Sequence, residues 1–373
     1  MSRSNVRPLN NKPPEPEGTV PNVRCCQGNA VLPSKAMRYA VWNNKGGVGK
    51  SFLSFVLGTE FAHRQPDRHV ILVDMCPQAN LSEIVLGGNG NGTVTLQNML
   101  SGPDRKTIGG YFDARIASPH KLTGSETEYL VRASKHNQNL SKNLWLIVGD
   151  PSLELQAQVI SQIGGQTLPQ DSWRNVRNWL KDLLNACFAK LGDGTVMAFI
   201  DCNPSFAAYT ELAVLAAERL IVPCSSDGSS ARAIDNIGAL LYGVNVSNIY
   251  KGVGFKAETE RFKMALPLIH SVLLNRSTVY SKKASKAFGA MFDEIKRRAR
   301  KLQRADASRF VSGKINFHVV PDNHSVAIVC SHHGKPLYSI QPGQYKVYDT
   351  KPQVNPEPLE RYKTAVDELL ASI

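Results

Sequence analysis

The stretch AVWNNKGGVGKSFLSF, which begins at Ala40, constrains this chain more than any other. A short β-rich run, RYAVWN, leads into a lysine, a glycine-rich turn, Lys50 and Ser51, and then into the helical run KSFLSFVLGTEFAHR. Strand, glycine-rich turn, Lys-Ser and helix is an arrangement that binds phosphate chains. The glycines let the backbone curl until successive N–H groups face the anion, and the helix adds its positive N-terminus. Lys50 is placed to reach β- and γ-phosphates, and Ser51 to bind Mg2+ through its hydroxyl. The ordinary pattern G-x-x-x-x-G-K-[ST] has glycine where this chain has Asn44. Here the pattern is K-G-G-V-G-K-S, with Lys45 five positions before Lys50. One lysine is enough to hold a phosphate chain, so the second needs a separate account.

The rest of the chain alternates short apolar runs with helical ones. HVILVDM, LWLIVG from Leu144, VMAFIDC from Val196, RLIVPC from Arg219, LPLIHSVLLN from Leu266 and INFHVVP read as strands. Most are almost continuously apolar, as parallel strands covered on both faces must be. The expected class is α/β, a mostly parallel central sheet with helices on both faces. EPLERYKTAVDELLAS reads as a final amphipathic helix. Two regions break the alternation. Residues 87–143, with GGNGNG and TLQNML, read as a peripheral insertion with one or two short helices. Residues 276–309 read as helical and strongly basic.

With 373 residues and 42% apolar content, the chain can bury a large core. Residues 1–36 are polar and proline-rich, which predicts a disordered tail ahead of a single domain at 37–373. That tail lacks the apolar segment of a secretory signal, and no apolar run reaches the length of a membrane span. The seven cysteines form no C-x-x-C pair and are odd in number, so neither a zinc site nor a disulfide framework is expected. A reducing, cytoplasmic compartment follows. The net charge of +13 points to a polyanionic partner.

The motifs resemble those of ParA-type partition ATPases, in the ParA/MinD group of deviant Walker A proteins. ILVDMCPQANLSE resembles that group's D-x-D-P-Q segment continuing into G-N-L-S. FIDCNPSF resembles its Walker B segment, usually D-C-P-P-S, and LIVPCSSDGSSARAIDNI the strand and helix that follow. VLLNR and HVVPDNHSVAIVCSHHGKPLYSI match its later segments. The resemblance runs in outline from Met37 to the C-terminus. It implies an ATPase that uses ATP and Mg2+. Lys50 then serves its own nucleotide, while Lys45 reaches the partner's phosphates in an ATP-bound homodimer, as an arginine finger does in trans. Gly46, Gly47, Val48, Gly49, Ser51 and Phe52 complete the phosphate loop, and Asn275 and Pro321 border the adenine.

Position adds to these roles. Asp74 and Asp201 each end an apolar strand, at the sheet edge where ligands bind. Either carboxylate can hold Mg2+ through water, Asp201 foremost, together with Ser51. Two departures stand out. Cys76 occupies the place of the family's second aspartate, and a thiol cannot orient water as a carboxylate does. Either Asp74 takes over that catalytic role beside Lys45, Lys50 and Asp201, or hydrolysis is slow and stimulated by a partner, which is the expectation. Phe52 stands where the family often has threonine near the α-phosphate.

Between Arg276 and Arg304 lie ten basic residues against Asp293 and Glu294. Such clustering favours non-specific phosphate contact. Arg276, Lys282, Lys283, Lys286, Arg297, Arg298, Arg300 and Lys301 are the expected DNA contacts. The resemblance also implies a ParB-like adaptor and association with the nucleoid. No helix-turn-helix precedes the phosphate loop, which argues against a promoter-reading relative. The alternative is a related positioning ATPase acting on a protein assembly, a cell pole or a membrane surface. The final helix, with mixed charge and small residues, looks built for packing rather than for membranes, and no membrane insertion is expected. No cysteine pair is placed to hold an iron–sulfur cluster, and Lys45 together with the motif order argues against a small-molecule kinase.

Overall fold

Seven parallel strands and one antiparallel edge strand form the central sheet of this protein, seen in a computed structural model. The structure describes residues 36–373 except 103, 193–195, 278, 281–282 and 285; of residues 276–288 no side chain is described. The polar tail expected over residues 1–36 lies, but for its last residue, outside the described residues.

In chain order the strands are β1 (Met37–Val41), β2 (His69–Met75), β3 (Leu130–Arg132), β4 (Leu144–Ile147), β5 (Val196–Cys202), β6 (Arg219–Cys224) and β7 (Leu268–Ser277). A short hairpin, β8 (Val279–Tyr280) with β9 (Lys283–Ala284), precedes β10 (Asn316–Pro321). The sheet order is β10-β7-β6-β1-β5-β2-β4-β3. All seven strands expected from apolar runs are present. The eighth, β3, is three residues long and pairs antiparallel with β4. It lies inside the region expected to be an insertion of short helices, so that region also supplies a sheet edge. Three residues are too few for an alternation pattern to show in sequence.

Among the described residues thirteen α-helices surround the sheet: α1 (Lys50–Arg64), α2 (Asn80–Val85), α3 (Asn91–Leu100), α4 (Ile108–Ala117), α5 (Leu153–Gly164), α6 (Ser172–Arg177), α7 (Trp179–Leu191), α8 (Ala208–Ala216), α9 (Gly228–Tyr242), α10 (Phe255–Arg261), α11 (Lys286–Ala305), α12 (His324–His333) and α13 (Pro356–Leu370). Period-2 alternation along the strands splits the core between the two faces. On β5, Val196, Ala198, Ile200 and Cys202 face the core under α5, α7, α8, α9 and α11. Met197 and Phe199 face the core under α1, α12 and α13. Each Val, Ile, Met or Phe among them, taken fully out of water, contributes about 1.5–3 kcal/mol.

The basic region differs from its expectation. Its first part is the end of β7 and the hairpin, not helix. Only from Lys286 does it become α11, whose Phe292, Ile295, Ala299 and Leu302 are buried at helical spacing. The strand order reverses around β1, which sits between β6 and β5. Chains of this architecture bind ligands outside the carboxyl ends of the strands at such a point. The phosphate loop leaves β1 there.

Candidate nucleotide site

Between β1 and α1 the chain turns through Gly47 (φ 75°) and Gly49 (φ 80°), both in the left-handed region where any other residue is strained. Gly49 is the N-cap of α1. Neighbouring strands brace the loop. Asn43 donates from Nδ2 to the Pro223 carbonyl at 2.7 Å, and its Oδ1 accepts from the Lys45 amide at 3.0 Å. Asn275 donates from Nδ2 to the Val48 carbonyl at 2.8 Å. Lys50 is buried and folds back, its Nζ donating to the Lys45 carbonyl at 2.9 Å. Burial lowers its pKa, against the pull of Asp201 and the thiols of Cys202 and Cys76.

A cavity of about 510 Å³ opens over this loop. Gly46, Gly47, Gly49, Lys50, Ser51 and Phe52 form its floor. Cys76, Gln78, Asn80 and Glu83, running from the end of β2 into α2, form one wall. Asn203 and Pro204, after β5, form another, and Asn89 and Ser331 close the far end. Phe52 is half-buried, and its ring stacks on Tyr362 with centroids 6.5 Å apart.

Asp74 and Asp201 pair in register on β2 and β5, and both are fully buried. Their environments are opposite. Asp74 accepts from the Cys76 amide at 3.1 Å, and from the Ser82 amide and hydroxyl at 2.8 Å each. Ser82 Oγ in turn accepts from the Gly149 amide at 2.8 Å. A Cβ at Gly149 would stand 2.8 Å from the Asp74 carboxyl carbon, so only glycine fits there. Asp74 thus ties β2 to α2 and to the end of β4. Burial raises its pKa to about 6, against these hydrogen bonds.

Neither oxygen of Asp201 has a hydrogen bond of normal geometry. Burial, and next the charge of Asp74, push its pKa up to about 8, while Ser51 and Lys50 pull it down. A buried carboxyl in such surroundings keeps its proton near neutral pH, and a cation held there would take the proton's place. The residues present fit Mg2+, a hard cation that takes oxygen ligands. Ser51 and Asp201 are the pair that would hold it. Cys76 lines the cavity, but burial and the Asp74 and Asp201 charges raise its thiol to about 12, so it stays protonated.

The structure places the remaining expected residues unevenly. Asn275 and Pro321 do not line the cavity. The amide of Asn275 is spent on bracing the phosphate loop, and Pro321 ends β10 half-buried. Lys45 points away from the floor: its Nζ donates to Ser225 Oγ at 2.9 Å and pairs with Asp227. Asn43, Ser225, Asp227, Asn203 and Ser331 carried no role in the sequence reading. Only the adjacency of Ser225 and Asp227 to the end of an apolar strand offered a signal.

On α11 the cations are less free than their count suggests. Arg297 bonds both oxygens of Glu294 at 2.7 Å, and Arg298 pairs with Glu294 and Asp235. These hydrogen bonds hold the Glu294 carboxyl down to about 2. Lys296 lies 4.2 Å from the Phe292 ring centroid. Arg300 and Lys301 are exposed and make no salt bridge with any described residue; Arg300 lies 5.9 Å from the Phe317 ring centroid. Lys282 lies outside the described residues, and of Arg276, Lys283 and Lys286 only the backbone is described. No helix among the described residues is long and apolar enough to cross a membrane.

The sequence matches the model of a family described as an AAA domain over residues 37–249. No curated protein matches it. Among solved structures, apo McdA from Cyanothece is similar to 90% of this chain over 99% of its own, at 16% identity and TM-score 0.57. An ATP complex of a McdA variant from Cyanothece is similar to 91% of this chain over 97% of its own, at 15% identity and TM-score 0.58. The family match spans more than half of the chain, and the loop K-G-G-V-G-K-S sits on a McdA-like fold, so the chain belongs to this AAA-domain family as a ParA-type deviant Walker A P-loop protein.

Proposed function

We propose that this protein is a slow, partner-stimulated ATPase that dimerises on binding ATP and Mg2+, grips DNA non-specifically, and positions or segregates a plasmid or chromosome with a ParB-like adaptor. The observation that carries the reading is Asp201: a fully buried carboxyl with no hydrogen bond of normal geometry to any described residue, beside Ser51 and Lys50 at the phosphate loop. Residues 37–373 act as one ATPase domain with a peripheral insertion, in the cytoplasm and on the nucleoid. The ATP complex of McdA, on the same fold, supports the choice of nucleotide.

Mg2+ supplies charge neutralisation at the phosphates when bound. The chain supplies the rest. The loop amides and Lys50 bind and orient the phosphate chain, and Ser51 and Asp201 hold the cation. Lys45 serves the partner's phosphates. Cys76 leaves the attacking water without a carboxylate base, which suits a timer. Polyanion contact falls to α11, where Arg300 and Lys301 make no salt bridge with any described residue.

A second reading, a positioning ATPase acting on a protein assembly or a surface other than DNA, is favoured by one feature. Ile249, Tyr250 and Val253 are 80%, 61% and 75% exposed on a single turn. Such clustering is unusual for a surface without a partner. DNA binding by the full chain, with and without Mg2+ and a slowly hydrolysed ATP analogue, on two unrelated duplexes, separates the readings. Nucleotide-dependent binding of equal strength to both is expected; no binding to either would leave the second reading standing.

A further inference from the structure

Lys45 is held by a residue with two duties. Asp227 is the N-cap of α9 and follows β6. Its Oδ1 accepts from the Ser229 and Ser230 amides at 3.0 Å each, which closes the helix. Its Oδ2 pairs with Lys45 and accepts from Ser225 Oγ at 2.7 Å. Burial works to raise this carboxyl, but hydrogen bonds from Lys45, Ser229, Ser225 and the Ser230 amide outweigh it and hold it below the ordinary carboxylate range. The backbone of Lys45 is fixed by Asn43, so the side chain alone can change seat. With 26% of Lys45 and 43% of Asp227 exposed, water and a second molecule can reach the pair. A lysine bonded here cannot also touch a phosphate of another subunit.

We propose that Asp227 is a positioning residue that holds Lys45 in cis and so sets how readily two ATP-bound copies join. This rests on the in-trans reading of Lys45. Without nucleotide the carboxylate keeps the lysine. A triphosphate brings several negative charges against one, and draws the lysine away when a partner presents it. Each copy contributes one such pair, so joining breaks two. A partly exposed pair is worth a factor of roughly 1.4–5, and two together shift association by about 2–30-fold.

The test is sedimentation velocity of the full chain with Mg2+ and a slowly hydrolysed ATP analogue. The proteins are the parent, Asp227→Asn, Lys45→Ala and the double variant. Asparagine caps helices as well as aspartate does, so α9 stays closed; Asp227→Ser serves if the first variant is unstable. Asp227→Asn should dimerise at a protein concentration about 2–30-fold below the parent's. The double variant should behave as Lys45→Ala alone, with no dimer. If Asp227→Asn needs the parent's concentration while Lys45→Ala loses the dimer, the hold does not exist, and the in-trans reading survives. If Asp227→Asn promotes association equally in the Lys45→Ala background, Asp227 acts by another route and the proposal fails. If Lys45→Ala dimerises like the parent, the in-trans reading fails and this proposal goes with it.

Discussion

Asp74 and Asp201 lie side by side in register on adjacent parallel strands, yet Asp74 accepts three hydrogen bonds of normal geometry and Asp201 none from any described residue, with only Ser51 and Lys50 drawing on it. The same residue type therefore does two jobs. Asp74→Ala leaves the Ser82 amide and hydroxyl and the Cys76 amide without a buried partner. It should cost roughly 2–5 kcal/mol of stability in urea unfolding. Asp201→Asn replaces a carboxyl that keeps its proton in the folded state by a neutral amide of the same shape, so it should fold about as well as the parent. It should lose the Mg2+ dependence of nucleotide binding in calorimetry. A large stability loss for Asp201→Asn would show that the carboxylate has a structural partner.

On the proposed role of Asp201 as a Mg2+ ligand, its raised pKa should make Mg2+ binding depend on pH. The group's folded value, about 8, lies above its unfolded one, so the folded state keeps a proton that the unfolded state releases. Its contribution to stability is therefore favourable at low pH, and declines as pH rises from the unfolded pKa to about 8. Mg2+ needs the carboxylate and must expel that proton. Affinity for Mg2+-nucleotide should climb up to about tenfold per pH unit below 8 and level off above it. Calorimetry in buffers of different ionisation heat reads the released proton directly. A flat profile between pH 6 and about 8 would place the cation elsewhere.

Cys76 lines the cavity as a neutral thiol. Cys76→Asp restores a carboxylate where the water-orienting group is expected. Phosphate release should rise by roughly 10²-fold, at the low end of general-base effects. Unchanged or slower release would mean that another group positions the water.

Glu294 restrains two arginines of α11. Glu294→Gln should free Arg297, while Arg298 keeps Asp235; binding to duplex DNA should tighten and its salt dependence steepen by about one phosphate contact per subunit. Arg300→Ala with Lys301→Ala should flatten that slope and weaken all sequences alike. Fluorescence anisotropy across a salt series measures both. An unchanged slope in the Arg300/Lys301 variant would remove α11 from the DNA surface.

Much of the architecture was legible because apolar parallel strands and glycine-rich turns leave local signatures. RYAVWN, HVILVDM and VMAFIDC became β1, β2 and β5 with little shift of their ends. The segment from Arg276 misled because charge says nothing about helix or strand, and its first part is the end of β7 and a hairpin.

The amino-acid order alone determined the phosphate loop: two left-handed positions need Gly47 and Gly49, and Lys50 and Ser51 open the helix that follows. It also placed Asp74 and Asp201 at strand ends. What each side chain touches was decided only in three dimensions. Asp74 is satisfied by Ser82, eight residues on, while Asp201 has only Ser51 and Lys50 drawing on it. Asn275 crosses 227 residues of chain to brace Val48, and Asp227 crosses 182 to hold Lys45. Sequence patterns report periodicity over one helix or strand, whereas a buried charge is set by whichever distant element the fold brings within hydrogen-bond reach.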